Sequence, residues 1–235
     1  MLDHVRQKRW TNKMTAYRSK TVLLVAVSIL ALCAPSAFAA EDADSEKGST
    51  SLFNGEDLSG WAGDTKGYVV EDSVLVCKPG GNMYTEREYS DFVFRFEFKL
   101  TPGANNGLGI RMTPEGDAAY KAIELQILDD TADKYKDLQP YQYHGSVYGI
   151  VPAERGHLRP VGEWNEQEVA AKGHRIKVTL NGAVIVDADI AEASKNGTMD
   201  HNDHPGLLRP KGRIGFLGHG DVLYFRNIRI KELED

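Results

Sequence analysis

The chain has 235 residues, 41% of them hydrophobic and 26% charged, with a formal net charge of −6. That length holds one sizeable core, and the acidic balance argues against nucleic acid or an anionic membrane surface as a partner. Of the two cysteines only Cys77 lies beyond residue 39, so the body of the chain has no pair to close an internal disulfide.

The N-terminal segment carries an export pattern. Arg6, Lys8, Arg9, Lys13, Arg18 and Lys20 make a basic region, and Thr21 to Leu32 follows as an apolar run of twelve residues. Twelve is short of the roughly 20 that a membrane span needs. Ala37-Phe38-Ala39 then puts small residues at the two positions a signal peptidase reads. We expect a signal peptide over 1–39, cleavage after Ala39, and a periplasmic or secreted product that does not span a membrane. Lipidation at Cys33 is a minor alternative, because Leu32 stands where a small residue belongs. Removing 1–39 takes six from the 28 Lys/Arg and one from the 34 Asp/Glu, which leaves 22 against 33 and a net charge of −11. Residues 40–50, acidic with Ser and Gly, are expected to form a flexible leader to one domain over 51–235.

Strand signals then recur in chain order. Tyr68 to Cys77 alternates, which favours Cys77 as a buried strand residue over a nucleophile. In Phe92 to Leu100, four phenylalanines and a leucine alternate with Val93, Arg95, Glu97 and Lys99. Burying each of those five is worth roughly 1.5–3 kcal/mol, so the row is expected to face inward. Leu108 to Met112 and Ile123 to Ile127 alternate too, and Thr131 to Leu138 has room for one short turn. Ile176 to Leu180 runs through Asn181-Gly182, a type I′ hairpin signal, into Val184 to Val186. Gly212 to Leu217 and Val222 to Ile230 are predicted to pair around Gly218-His219-Gly220-Asp221. Many strands with Gly, Asn and Asp turns imply an all-β sandwich of two antiparallel sheets.

Two of these strands carry polar groups where a core strand has none. Successive side chains point to opposite faces, so Leu108, Ile110 and Met112 share one face, as do Ile123, Leu125 and Ile127. Arg111, Glu124 and Gln126 fall on the reverse faces, with Asp129 and Asp130 just beyond. If the strands are neighbours, a guanidinium, a carboxylate and an amide converge on one patch of sheet. The plainer alternative is a solvated face with a cross-strand Arg–Glu pair.

Short strings go beyond strand pattern: Leu52-Phe53-Asn54-Gly55 with Leu58-Ser59-Gly60-Trp61, Gly103-Ala104-Asn105-Asn106-Gly107, Ile123-Glu124-Leu125-Gln126-Ile127 and Gly145-Ser146-Val147-Tyr148-Gly149. Gly162-Glu163-Trp164-Asn165, Gly212-Arg213-Ile214-Gly215-Phe216, His219-Gly220 and Phe225-Arg226-Asn227-Ile228 complete the series. In this order, from about Leu52 to Leu233, the chain resembles the 3-keto-disaccharide hydrolase domain family. It departs from the family's usual strings twice, with Asn105-Asn106 in place of Asn-Ser and Leu217-Gly218-His219-Gly220 in place of Leu-Gln-His-Gly. The second departure removes a glutamine that could contact sugar.

The resemblance implies a concanavalin-like jelly roll, the class that the strand pattern reaches by itself. It also implies exported bacterial proteins that cleave the glycosidic bond of sugars oxidised at C3. A 3-keto group acidifies the C2 hydrogen, so a base can form an enolate and expel the C1 substituent, after which water adds back. Such a step needs a proton acceptor, an Arg, His or divalent metal for the oxyanion, and help for the leaving oxygen. Glu124 is the candidate base or metal ligand, Arg111 its charge partner, His219 a catalytic imidazole between two glycines, and Gln126 a group orienting sugar hydroxyls. Asn105, His144, Tyr148 and Glu163 are further candidates for substrate contact, Tyr148 by stacking and Glu163 as a secondary acid; Trp164 is expected in the core. A divalent metal held by Glu124 with His144 or His219 is the cofactor alternative, without diagnostic ligand spacing. His201-Asn202-Asp203-His204 resembles metal ligands but lies in a Pro- and Gly-containing stretch, where a solvated loop is expected. Against cleavage of 3-keto-glycosides stand a two-carboxylate glycosidase using Glu124 and Asp129, a non-catalytic carbohydrate-binding module, and a small cell-envelope interaction domain.

Overall fold

The computed structural model describes residues 47–115 and 118–234. The expected signal peptide, its cleavage site and most of the leader lie outside them. In chain order the strands are β1 (Thr50–Ser51), β2 (Trp61–Gly63), β3 (Tyr68–Glu71), β4 (Val74–Cys77), β5 (Asn82–Thr85), β6 (Phe92–Leu100), β7 (Asn105–Met112), β8 (Ile123–Leu128), β9 (Trp164–Lys172), β10 (Arg175–Leu180), β11 (Ala183–Asp189), β12 (Arg213–Gly218) and β13 (Leu223–Glu232). An eight-stranded sheet has the order β11-β10-β9-β6-β13-β4-β3, with β1 also paired to β13. A five-stranded sheet has the order β2-β5-β12-β7-β8. The strand ladders are antiparallel. The protein is the two-sheet antiparallel sandwich that the strand pattern predicts, of the jelly-roll class that the family resemblance implies. Among the described residues no helix is long and apolar enough to cross a membrane.

The core lies between the sheets. Phe92, Phe94, Phe96, Phe98 and Leu100 of β6 are all buried, and the alternate residues are only half-buried. Phe216 of β12 stacks on Phe225 of β13 with ring centroids 3.9 Å apart and meets Phe96 edge-on at 5.7 Å. Aromatic contact therefore crosses from one sheet to the other, adding geometric preference to the burial of area. The β10–β11 hairpin turns at Asn181 and Gly182 with φ of 50° and 85°, both left-handed as a type I′ turn requires. The short turn expected after Thr131 is present as a 3-10 turn over Asp133–Tyr135.

Two expectations are corrected. Tyr68 to Cys77 is a hairpin, β3 and β4, broken at Asp72 and Ser73, whose φ values are 51° and 60°. Cys77 is buried at its end as expected, and burial pushes its thiol pKa up. β12 and β13 do not pair with each other; they sit in opposite sheets, and residues 218–221 carry the chain from one layer to the other. Alternation marks an apolar face in either case, so it cannot distinguish a hairpin from a crossing.

Candidate active site

The site is built on the outer face of the smaller sheet. β7 and β8 are neighbours, with Asn105 opposite Leu128, Gly107 opposite Gln126 and Gly109 opposite Glu124. Leu108, Ile110, Ile123, Leu125 and Ile127 point into the core, which turns Asn105, Glu124, Gln126 and Leu128 outward. The opposing glycines leave a floor without side chains. A methyl group at Gly107 would collide with the Glu124 carboxylate, so Glu124 lies across that glycine.

This outer face is not solvated. A cavity of about 310 Å³ is lined by Asn105, Glu124, Gln126 and His219, with Tyr120, Tyr135 and Tyr148 as walls and Leu128, Leu138 and Gln142 completing it. The Glu124 side chain is 6% exposed and that of His219 46%, with His219 Nε2 3.9 Å from Glu124 Oε1. A sheltered proton acceptor and a solvent-reached imidazole thus share one edge of the cavity. Gln126 Nε2 donates to Asn105 Oδ1 at 2.6 Å, which orients both amides and turns Gln126 Oε1 and Asn105 Nδ2 toward other partners. Asn105 N donates to Asp221 Oδ2 at 3.0 Å, which ties the crossing that bears His219 to the start of β7. Gln142 Nε2 donates to the Tyr148 hydroxyl at 3.2 Å, and the Tyr135 hydroxyl donates to the Gly103 carbonyl at 3.3 Å.

Five of the eight predicted residues meet here: Glu124, His219, Asn105, Gln126 and Tyr148. Arg111 does not. Its φ is 52° and the β7–β12 register shifts beside it, so a bulge reverses the side-chain parity. Met112 therefore leaves the face of Leu108 and Ile110 and packs on the outer face with Ala122, Leu217 and Tyr84. Arg111 is fully buried, donating to the carbonyls of Ser90 (3.0 and 3.1 Å), Gly173 (2.7 Å) and Arg209 (3.4 Å) and to Asp91 Oδ1 (3.0 Å). Burial lowers its pKa and Asp91 opposes that. It braces backbone, and Glu124 has no cross-strand arginine.

His144 is also misplaced by sequence. It is buried between the sheets, stacked on Phe98 at 5.1 Å, with Nδ1 accepting from Leu128 N at 3.2 Å and Nε2 donating to Gln167 Oε1 at 3.0 Å. Burial pushes its pKa down to about 4, which the hydrogen bond to Gln167 only partly offsets. Glu163 is exposed in the turn leading into β9 of the larger sheet, away from the cavity. Trp164 is half-buried on that sheet's outer face beneath the Arg226 guanidinium at 4.0 Å rather than in the core. Asp129, the second acid of a two-carboxylate mechanism, is consumed as a loop anchor: Oδ2 accepts from Gly103 N at 2.7 Å and Oδ1 from the Thr131 hydroxyl at 2.6 Å.

The metal alternative fares likewise. With His144 in the core, Glu124 and His219 supply two donors. Among the described residues no group of three or more His, Cys, Asp or Glu side chains gathers to hold a metal ion. Protein-held zinc normally takes at least three such ligands, so these two do not make a zinc site. In the His201–His204 segment the first three residues are exposed as expected, but His204 is buried against Asp200.

Sequence reasoning missed Tyr120, Tyr135, Leu128, Leu138 and Gln142. Leu128 was accessible, since it continues the period of Glu124 and Gln126. Tyr120 sits on a four-residue helix (Ala118–Lys121), Tyr135 and Gln142 on 3-10 turns and Leu138 between them, and their place over the sheet is set by tertiary contacts, which no period reveals.

Comparison with known proteins supplies the lineage of this geometry. A domain model described as 3-keto-alpha-glucoside-1,2-lyase-like matches residues 48–231. The 3-keto-disaccharide hydrolase of Bacteroides thetaiotaomicron is 25% identical over 82% of this chain and 80% of that protein. A candidate glycosyl hydrolase from Parabacteroides distasonis, known from a crystal structure, is 30% identical with a TM-score of 0.71, covering 79% of this chain and 99% of that one. A second crystal structure of a candidate glycosyl hydrolase from the same organism is 28% identical, also at a TM-score of 0.71, over 82% and 97%. The domain match spans nearly all of the sandwich, and the chain belongs to the 3-keto-alpha-glucoside-1,2-lyase-like domain family.

Proposed function

We propose that this protein is an exported carbohydrate-active enzyme that cleaves the glycosidic bond of 3-keto-glycosides by elimination and rehydration. The reading is carried by one observation: a sheltered carboxylate, Glu124, lies 3.9 Å from the His219 imidazole in a cavity lined by two coupled amides and three tyrosines. Glu124 takes the proton from C2, and the C2–H electrons move to make the C3 oxygen an enolate. Asn105 Nδ2 donates a hydrogen bond to that oxygen. The enolate collapses with loss of the C1–O bond, and protonated His219 gives its proton to the departing alcohol. Water then adds its hydroxyl to C1 and its proton to His219, while Glu124 returns a proton to C2. One water is consumed and both side chains are restored. The cavity suits this work because polar groups excluded from water hold developing charge more strongly than solvated ones.

The relative named as a 3-keto-disaccharide hydrolase supports the substrate class, and the basic and apolar pattern of residues 1–39 supports export to the periplasm or beyond. The test is incubation of the protein beginning at Ala40 with a 3-keto-disaccharide, with and without a chelator, following release of the alcohol or second sugar. Release that persists with chelator and is lost in Glu124→Gln is the expected result. Binding without cleavage by the wild type would instead establish a carbohydrate-binding module.

A further inference from the structure

Behind two of the tyrosine walls, Tyr120 and Tyr148, lies a buried hydrogen-bonded pair that the chemistry above does not use. His204 Nε2 is 3.0 and 3.1 Å from the two oxygens of Asp200, and the side chains are 2% and 5% exposed. Asp200 is further held by Asn202, whose backbone and side-chain N–H groups both donate at 3.1 Å. A sheltered, hydrogen-bonded pair of this kind persists where the surrounding structure fixes it.

The pair is wedged between two segments of the cavity wall. On one side it rests on Gly149, where a Cβ would lie 2.7 Å from Asp200 Oδ2 and 2.9 Å from His204 Nε2; Gly149 also has φ of 75°. Met199 N donates to the Gly149 carbonyl at 2.7 Å. The adjoining Tyr148 donates its backbone N–H to the Glu124 carbonyl at 2.9 Å. On the other side the His204 ring packs on the Tyr120 ring with centroids 5.0 Å apart, and Gly206 N donates to the Tyr120 carbonyl at 3.1 Å. Tyr120 and Tyr148 both line the cavity.

We infer that Asp200 and His204 are positioning residues that set the placement of Tyr120 and Tyr148 around the sugar, acting through those rings without touching the substrate. The inference rests on the proposed sugar site and adds what fixes its walls. A pyranose held between aromatic groups gains from C–H contact with their faces, and that gain depends on the spacing of the rings. Loosening the wedge is therefore a loss in binding ahead of a loss in proton transfer.

The test uses protein labelled with ¹³C-tyrosine and the variants His204→Ala and Asp200→Asn, the second keeping the shape of the side chain should the first unfold. The ring signals of Tyr120 and Tyr148 should shift or broaden in both variants. Those of Tyr135, which is held separately through Gly103, should not. With a 3-keto-disaccharide, KM should rise roughly three- to tenfold, the size of a lost aromatic contact, with kcat nearly unchanged. In a Tyr120→Ala background the His204→Ala change should add much less to KM, because the two act as one unit. Unmoved Tyr120 and Tyr148 signals in a folded variant would overturn the inference, as would a fall in kcat at constant KM. If the wild type cleaves no keto sugar, the functional proposal fails, while the ring signals still decide whether the wedge places the tyrosines.

Discussion

Gly107 lies beneath the Glu124 carboxylate so closely that any Cβ there would enter the space of Oε1. The two residues are on adjacent strands, and the carboxylate has its present position only because its neighbour has no side chain. Gly107→Ala meets no obstacle in its own backbone, since its φ is not left-handed. The clash falls on the Glu124 side chain, which must swing away. We expect turnover to fall by about 10²-fold, the cost of misplacing a reacting group by about 1 Å. Steady-state assay beside a melting curve checks it, and activity should suffer far more than stability.

Glu124→Gln preserves shape and removes the charge. Turnover of a 3-keto-glycoside should drop by roughly 10²–10⁴-fold, the usual worth of a general base. The melting temperature should hardly move, because the facing His219 is half exposed and 3.9 Å away, with no buried guanidinium left unpaired. Near wild-type turnover by the folded variant would remove Glu124 from the mechanism.

Arg111 should behave in the opposite way. Its guanidinium satisfies three backbone carbonyls and Asp91 from a fully buried position. Arg111→Met should destabilise the fold by about 3–5 kcal/mol, as expected for removing one partner of a buried pair. Urea unfolding measures that loss. Molecules that remain folded should keep a normal KM, because the residue does not reach the cavity.

His144 makes the fold acid-sensitive. Its pKa is near 4 in the folded protein and about 6.5 when unfolded. Between those values the unfolded chain binds the proton that the folded core refuses, so stability falls as pH drops from 6.5 through 4. The full loss is about 3 kcal/mol. Above pH 6.5 the imidazole is neutral in both states and contributes no slope. His144→Gln, which can still accept from Leu128 and donate to Gln167, should flatten the dependence of urea midpoint on pH in that window.

The sandwich and half of its site were legible for one reason: period two survives wherever a strand has one buried face. The phenylalanine row of β6, and the outward Glu124 and Gln126 beside inward Ile123, Leu125 and Ile127, are direct readings of that period. It broke at Arg111, where one left-handed residue exchanged the faces and sent the arginine to brace backbone while Met112 took the outer side. It was silent about His144, whose polar ring is satisfied inside the core by Leu128 and Gln167, partners distant in sequence. Tyr120 is brought over the sheet by a four-residue helix and Tyr135 and Gln142 by 3-10 turns, and such short elements fix local shape without saying what they will cover.

Residues 218–221 pass from β12 to β13, and His219 rides on that passage while Glu124 is rooted in the smaller sheet. The passage is pinned below by Phe216 stacked on Phe225 at 3.9 Å and at its far end by Asp221 on Asn105 N. The 3.9 Å between Glu124 and His219 is thereby set where the passage leaves the smaller sheet, next to the pairing of Gly218 with Asn106. An interior change such as Phe225→Leu, which removes the ring stacked under Phe216, reaches that spacing from beneath the sheet. Its first symptom would be lower turnover with an intact cavity, which makes the aromatic interior part of what holds Glu124 and His219 in register.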